Sequence, residues 1–337
     1  MIASIASVAL VLASHAPQDL DEHEAPCEIE APSLAYRVEP FVDLYFTVQR
    51  RAASYEETPA VEGLDAAVEL ARALGVELHG AFDTYALAAV VGCENGEQAA
   101  RAFAKLPETV ATRARSEVPL RAPAVEFARA LARAEPAFRS ELWPAHADEI
   151  AQARARIEGE FDQHFPRCIE LAARELGFPS MPQRITLFLV HDSPAPRSLT
   201  QRDADGRGVS FVAVSNRDGS QLYDAILHEA LVAADVTSRG SVLDRLRERL
   251  ERAGFGRERR EWHELPRVLL HVEAGEIVRR IVEPTHRHRA DAEGLYAAGG
   301  RSSLVAWRIW LEHLDGKLEV EAALDAIVRE VVGPDQR

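Results

Sequence analysis

The chain has 337 residues, 47% of them hydrophobic and 28% charged, which is ordinary globular composition and long enough to bury a core without disulfides. Its formal charge of −15 and pI near 5.3 set it against phosphate backbones and anionic lipid. That balance disfavours a nucleic-acid-binding role, a local basic face aside, and leaves solubility as its first meaning.

Residues 1–16 read as a signal peptide. A short apolar run is followed by small residues at Ser14 and Ala16 and then by Pro17, where the mature chain is expected to start. The run is too short to span a bilayer, and no later run reaches spanning length. Export to the periplasm or the extracellular space is the expectation, and the n-region carries no Lys or Arg. Cys27, Cys93 and Cys168 form no CxxC pair. One disulfide and one free thiol are compatible with an oxidising compartment, and spacing does not choose the pair.

From there to about 180 the apolar periodicity predicts helices. They fall over 34–53, over 63–74 with Gly75 as a C-cap, over 82–91, 96–106 and 118–134 around Pro123, and over 145–176. Pro166 should break the last, and Gly177 should end it. Past 180 the composition changes. Residues 185–190 and 209–215 are short, β-branched runs and predict buried strands, with a loop over 192–208 between them. Asn216 to Gly219 reads as a turn, and Ser220 as the cap of a helix over 221–236. Further helices are expected over 241–253, 265–281, 302–314 and 318–332, with 286–300 as loop. The expected organisation is a signal peptide over 1–16, a helical region over 17–180 and a second region over 181–337.

No phosphate loop, GxGxxG, nucleophile elbow or EF-hand loop is present. The chemically suggestive segment is 222–235, with His228 followed by Glu229 and with Asp235 further along. In an HExxH helix two histidines four apart project from one face onto a zinc ion, and the glutamate polarises the bound water. Here the second position is Val232. A bare His-Glu pair is a weak signal, since it recurs at His23 and His263. His286 and His288, in the run His286-Arg287-His288-Arg289, offer a second candidate for a metal or an anion; the plainer expectation is an exposed basic loop. Trp307 and Trp310 are expected to pack in the core.

The order strand, loop, strand, turn, His-Glu helix resembles the zincin metallopeptidases of the HExxH type. So do the helix carrying His271, Gly275 and Glu276, the Gly294-Leu295-Tyr296 run and the closing Trp307…Trp310…Asp315-Gly316 pattern. The likeness spans roughly 180–332, with an echo in Val42-Asp43-Leu44-Tyr45-Phe46, and it points to an uncharacterised secreted bacterial branch. It implies an α+β, predominantly helical fold whose C-terminal part is zincin-like, with a small sheet packed on the His-Glu helix.

The resemblance places a third ligand near Arg267, whose charge would repel a metal. His271, one turn on, is the shifted alternative, and Glu273, Glu229 or a distant group would have to complete the set. Glu276 should face elsewhere. His228 and His271 are therefore the candidate metal residues, with Glu229 and Tyr296 as candidate catalytic residues by resemblance. The cofactor expectation is none or a vestigial zinc site, with zinc substoichiometric or absent, and Val232→His with Arg267→His is expected to raise zinc affinity. Function is expected to be that of a catalytically impaired pseudoenzyme that binds a peptide or an envelope protein. The alternatives are an active zinc-dependent hydrolase with displaced ligands and an unrelated helical envelope interaction protein.

Overall fold

The computed structural model describes residues 33–332, apart from 55–60, 79–80, 112–116, 179–183, 194–200, 203–207, 216, 218 and 238. The expected signal peptide, the start at Pro17 and Cys27 lie outside the described residues, as do most of the 192–208 loop and parts of the 216–219 turn.

In chain order the elements are β1 (Ser33–Arg37), α1 (Pro40–Ala53), α2 (Leu64–Leu78), α3 (Ala81–Val90), α4 (Gly96–Phe103), β2 (Thr109–Ala111), β3 (Glu117–Pro119), α5 (Arg121–Glu141), α6 (Trp143–Arg156) and a π-helical turn (Ile157–Phe161). There follow α7 (Phe165–Leu176), β4 (Arg184–Val190), β5 (Gln201–Arg202), β6 (Gly208–Ala213), α8 (Gly219–Thr237), α9 (Val242–Arg252), α10 (Arg260–Ile281), α11 (Arg289–Ala292), α12 (Leu295–Ala298), α13 (Gly300–Leu314) and α14 (Val320–Val332). The fold is α+β and predominantly helical. Its sheet runs β1-β4-β6-β5, with β1, β4 and β6 parallel and the two-residue β5 antiparallel at the edge; β2 and β3 form a separate hairpin.

The sheet is apolar on both faces, and the two-residue period of a strand divides its side chains cleanly. Phe188, Val190, Val209, Phe211 and Ala213 pack into one hydrophobic cluster with helices α1 to α5. Ile185, Leu187, Leu189, Val212 and Val214 enter the other, built from α6 onward. Ala31–Arg337 form one compact unit. Its sheet draws on both sides of residue 180, because Ser33↔Arg184 to Arg37↔Phe188 pair β1 with β4.

Several expected boundaries move. The helix expected from residue 34 begins only at Pro40, because 33–37 are taken by β1. Glu39 is extended, as a residue before proline prefers, and Pro40 occupies the first helical position. Gly75 does not cap α2, which continues to Leu78; a glycine inside a helix costs only about 1 kcal/mol against alanine. The segment expected to be helical from 118 opens as β3, and α5 starts at Arg121, with Pro123 in its first turn and Pro136 inside. The long helix expected over 145–176 divides at the π-helical turn, and Pro166 sits in the first turn of α7. Gly177 closes α7 at φ 64°, a left-handed conformation that glycine adopts without a Cβ penalty. Helix α8 begins at Gly219, so Ser220 lies within it and is not its cap. The 286–300 stretch, expected as loop, holds α11 and α12.

Candidate functional site

Helix α8 carries the His-Glu pair and lies on β6, where Ser210 Oγ donates to the Glu229 carbonyl at 3.3 Å. Leu222, Ile226, Ala230 and Ala233 face the core as their spacing predicts. The burial goes further than one stripe: every residue from 222 to 235 is buried, including Asp224, His228, Glu229 and Asp235. Polar groups on such a helix must find partners inside the protein. Asp235 finds Arg247 on α9, with both guanidinium nitrogens on its two oxygens at 3.1 and 2.5 Å.

Asp224 and His228, four residues apart, share a face and meet α10 and the segment before α11. His286 Nε2 and the Arg289 backbone N–H both donate to Asp224 Oδ2, at 3.1 and 2.8 Å. Burial alone would raise the Asp224 carboxyl, but these hydrogen bonds and the Arg289 charge hold it below the usual range. The Arg289 side chain is wholly buried. Its Nη2 donates to His271 Nδ1 at 3.1 Å, its Nη1 to Glu293 Oε2 at 3.2 Å, and its Nε lies 4.0 Å from Asp224 Oδ1. Arg217, 3.4 Å from Glu293 Oε1, extends the network.

The structure brings His228 and His271 together. Their rings stack at 3.7 Å between centroids and 6° between planes. His228 Nδ1 donates to Glu229 Oε1 at 3.0 Å, which leaves Nε2 without its proton and, in the structure, without a partner; Glu229 Oε2 is likewise unpartnered. His271 accepts from Arg289 at Nδ1, so its proton sits on Nε2. Burial keeps both imidazoles neutral, lowering His271 the more strongly, and the Arg289 charge adds to the effect on each.

The sequence-derived donors do not fit a zinc ion as a set. One donor suits it, the bare Nε2 of His228. The second imidazole has Nδ1 occupied by a guanidinium, and two nearly parallel stacked rings aim their nitrogen lone pairs side by side, not at one point. Glu273, one of the groups that could have supplied a third ligand, is engaged elsewhere: Trp310 Nε1 donates to its Oε2 at 3.1 Å. Its carboxyl is raised well above the usual range by burial and by the neighbouring Glu175. Glu276 also faces elsewhere; burial would raise it, but hydrogen bonds from His288, Arg279 and Arg280 hold it at about 2. Val232 is buried and offers no donor. Arg267 is exposed and touches His271 only through its charge. Among the described residues no group of three or more His, Cys, Asp or Glu side chains is placed to hold a metal ion.

Tyr296 lies buried against Trp307, rings 5.1 Å apart, and its hydroxyl has no partner. Trp310 is buried as expected, whereas Trp307 is half-buried. The 286–289 run departs from the exposed basic loop expected of it. His286 and Arg289 are buried, and the two histidines take separate carboxylates, Asp224 and Glu276. Gly275 makes this possible: a Cβ there would lie 2.6 Å from the His288 ring, so only glycine lets the segment rest on α10. Asp224 and Arg289 are the site residues that motif reading missed. The i, i+4 spacing of Asp224 and His228 was the available signal for the first.

A second stacked pair lies past the end of β4. His146 on α6 and His191 stack at 3.8 Å and 9°. His146 Nδ1 pairs with Asp43 Oδ2 at 2.6 Å, the His191 backbone N–H donates to Asp43 Oδ1 at 2.5 Å, and His191 Nε2 pairs with Glu149 Oε2 at 3.0 Å. Asp43 belongs to the Val42–Phe46 echo and is itself buried. Cys93 and Cys168 are both buried free thiols. Among the described residues no helix is long and apolar enough to cross a membrane. No family model, no curated protein and no solved structure matches the chain.

Proposed function

We propose that this chain is an exported binding protein built on a metallopeptidase-like scaffold and that it performs no zinc hydrolysis. One observation carries the reading. Helices α8 and α10 bring His228, Glu229 and His271 together after the order strand, loop, strand, helix, yet a buried guanidinium holds His271 Nδ1, where a metal would need a free lone pair. A working zinc site needs three protein ligands and an open position for water, and the donors gathered here supply neither.

The partner proposed is a peptide or an envelope protein. A surface groove of about 670 Å³ along α13 supports a binding role: Leu304, Val305, Trp307 and Leu311 line it, together with Arg301 and with Arg308 and Lys317, whose charges Glu312 and Asp315 in the same groove answer. Arg308 is paired with Glu330 at 2.7 Å, whereas Arg301 has no ion pair among the described residues. An apolar segment bearing a carboxylate complements that surface. Leu304 is the large hydrophobic side chain left exposed there.

The test pairs chemistry with composition. Purified protein is assayed for zinc by elemental analysis and for hydrolysis of a mixed peptide library, with and without a chelator. No retained zinc and no cleavage are expected. Chelator-sensitive cleavage by the wild type, abolished by Glu229→Gln, would replace this reading with the displaced-ligand hydrolase. Export is tested separately by N-terminal sequencing of secreted material, with a start near Pro17 expected.

A further inference from the structure

We infer that the Arg289 guanidinium is a built-in cation that takes the structural place of a metal ion, clamping α8, α10 and α11 from the centre of an imidazole–carboxylate cage. This deepens the reading above and rests on it only for the idea that such a site once suited a metal.

The argument starts from burial. An arginine side chain at 0% exposure is costly unless its donors and its charge are both answered. Here His271 from α10 accepts from Nη2 and Glu293, four residues on, from Nη1, while Asp224 from α8 answers the charge at 4.0 Å; Nε itself and Asp224 Oδ1 make no hydrogen bond among the described residues. One imidazole nitrogen and two carboxylates are the donor types that divalent transition metals accept. The guanidinium's planar fork binds the same types with fixed geometry and cannot lose its proton. Asp224 also receives His286 Nε2 and the backbone N–H of Arg289 itself, which fixes the segment that delivers the guanidinium. The Gly275 contact seats that segment on α10. Removal of Arg289 would leave the buried Asp224 carboxylate and the bare His271 nitrogen without their cation, with the exposed Glu293 carboxylate and its Arg217 partner at the outer side. Such a site calls for another cation.

The experiment measures thermal unfolding and metal binding, not activity. Arg289→Ala is expected to lower Tm by roughly 10 °C. Zinc or cobalt(II), added to Arg289→Ala, is expected to return about half or more of that loss with one metal per chain, through mass-action stabilisation of the folded state. Cobalt reports its ligands by visible absorption. The wild type should show neither a Tm shift with these metals nor the absorption. Adding His271→Ala to the variant should abolish the rescue. Should Arg289→Ala give no soluble protein alone, refolding is repeated with zinc, with cobalt and with millimolar guanidinium chloride, and recovery with any of these supports the clamp.

Four results would overturn it. One is a wild-type Tm for Arg289→Ala. Another is a destabilised variant that no cation rescues or refolds. A third is rescue that survives loss of His271, and the last is tight zinc in the wild type. Chelator-insensitive peptide cleavage would sink the proposed function and leave the clamp standing; an unrescued Arg289→Ala would do the reverse.

Discussion

Among the described residues two stacked histidine pairs have nearly equal geometry and different charges around them: a carboxylate and a guanidinium at one, two carboxylates at the other. His228 and His271 stack at 3.7 Å with the Glu229 carboxylate on the first and the Arg289 guanidinium on the second, while His146 and His191 stack at 3.8 Å between the Asp43 and Glu149 carboxylates. The first pair is sealed inside the helical layer; the second is partly exposed past the end of β4. Parallel imidazoles are therefore a packing arrangement that two carboxylates, or a carboxylate and a guanidinium, can complete, and neither pair converges on a metal position. What separates the pairs is dependence. His271 of the inner pair depends on a single buried cation, whereas the outer pair is held by carboxylates on both rings, some of them open to water.

Perturbing the two pairs should break the symmetry in a set order. The largest stability effect is expected at the inner pair: Arg289→Ala takes the facing charge from Asp224 and the donor from His271 and should cost about 3–5 kcal/mol in chemical denaturation. Asp43→Asn at the outer pair keeps the shape and loses one of two acceptor functions, so about 1–3 kcal/mol is expected from the same measurement. An equal or larger loss at Asp43 would reverse the comparison.

Zinc sharpens it further. Because Arg289 occupies His271, the pair of changes Val232→His and Arg267→His should gain little zinc alone. The same pair combined with Arg289→Ala should retain about one zinc per chain after dialysis. Strong zinc retention by the double variant would show that the guanidinium is no obstacle. Gly275→Ala pushes a methyl group into the His288 ring and should cost about 1–3 kcal/mol by displacing the segment that carries Arg289.

The pH dependences have opposite signs. Burial lowers His228 and His271, so below about pH 6.5 the unfolded chain binds protons that the folded one resists, and stability should fall as pH falls through that range. Glu273 is raised by burial and by Glu175, so its contribution is fully present below the ordinary carboxylate range. That contribution is lost as pH rises from there toward its folded value. Glu273→Gln should therefore flatten the high-pH side of the stability profile, the smallest of these effects, with a limiting slope of about 1.4 kcal/mol per pH unit for one proton. An unchanged profile in Glu273→Gln would remove Glu273 from that role.

Much of the fold was legible in local pattern. The β-branched runs of β4 and β6 and the helical spacing of α8 specified their elements, because burial on two faces or around a whole helix demands continuous apolar residues. His228 and Glu229 were found as neighbours in sequence, and Gly177 ended its helix as its lack of a Cβ allows. Residues 33–37 could not be placed by the same means. Their strand is decided by pairing with β4, some 150 residues away, and local propensity carries no trace of that. Arg289 was the harder case. In sequence it is one cation in a basic run, with solvent as the expected destination. Only the packing of α8 on α10, which brings Asp224 and His271 to it from distant segments, makes its burial favourable. The chain's own residue order thus determined which helices form and which apolar faces they bury. The tertiary structure decided which charge stands at the centre, because a buried cation is stabilised only by acceptors that distant segments bring to it.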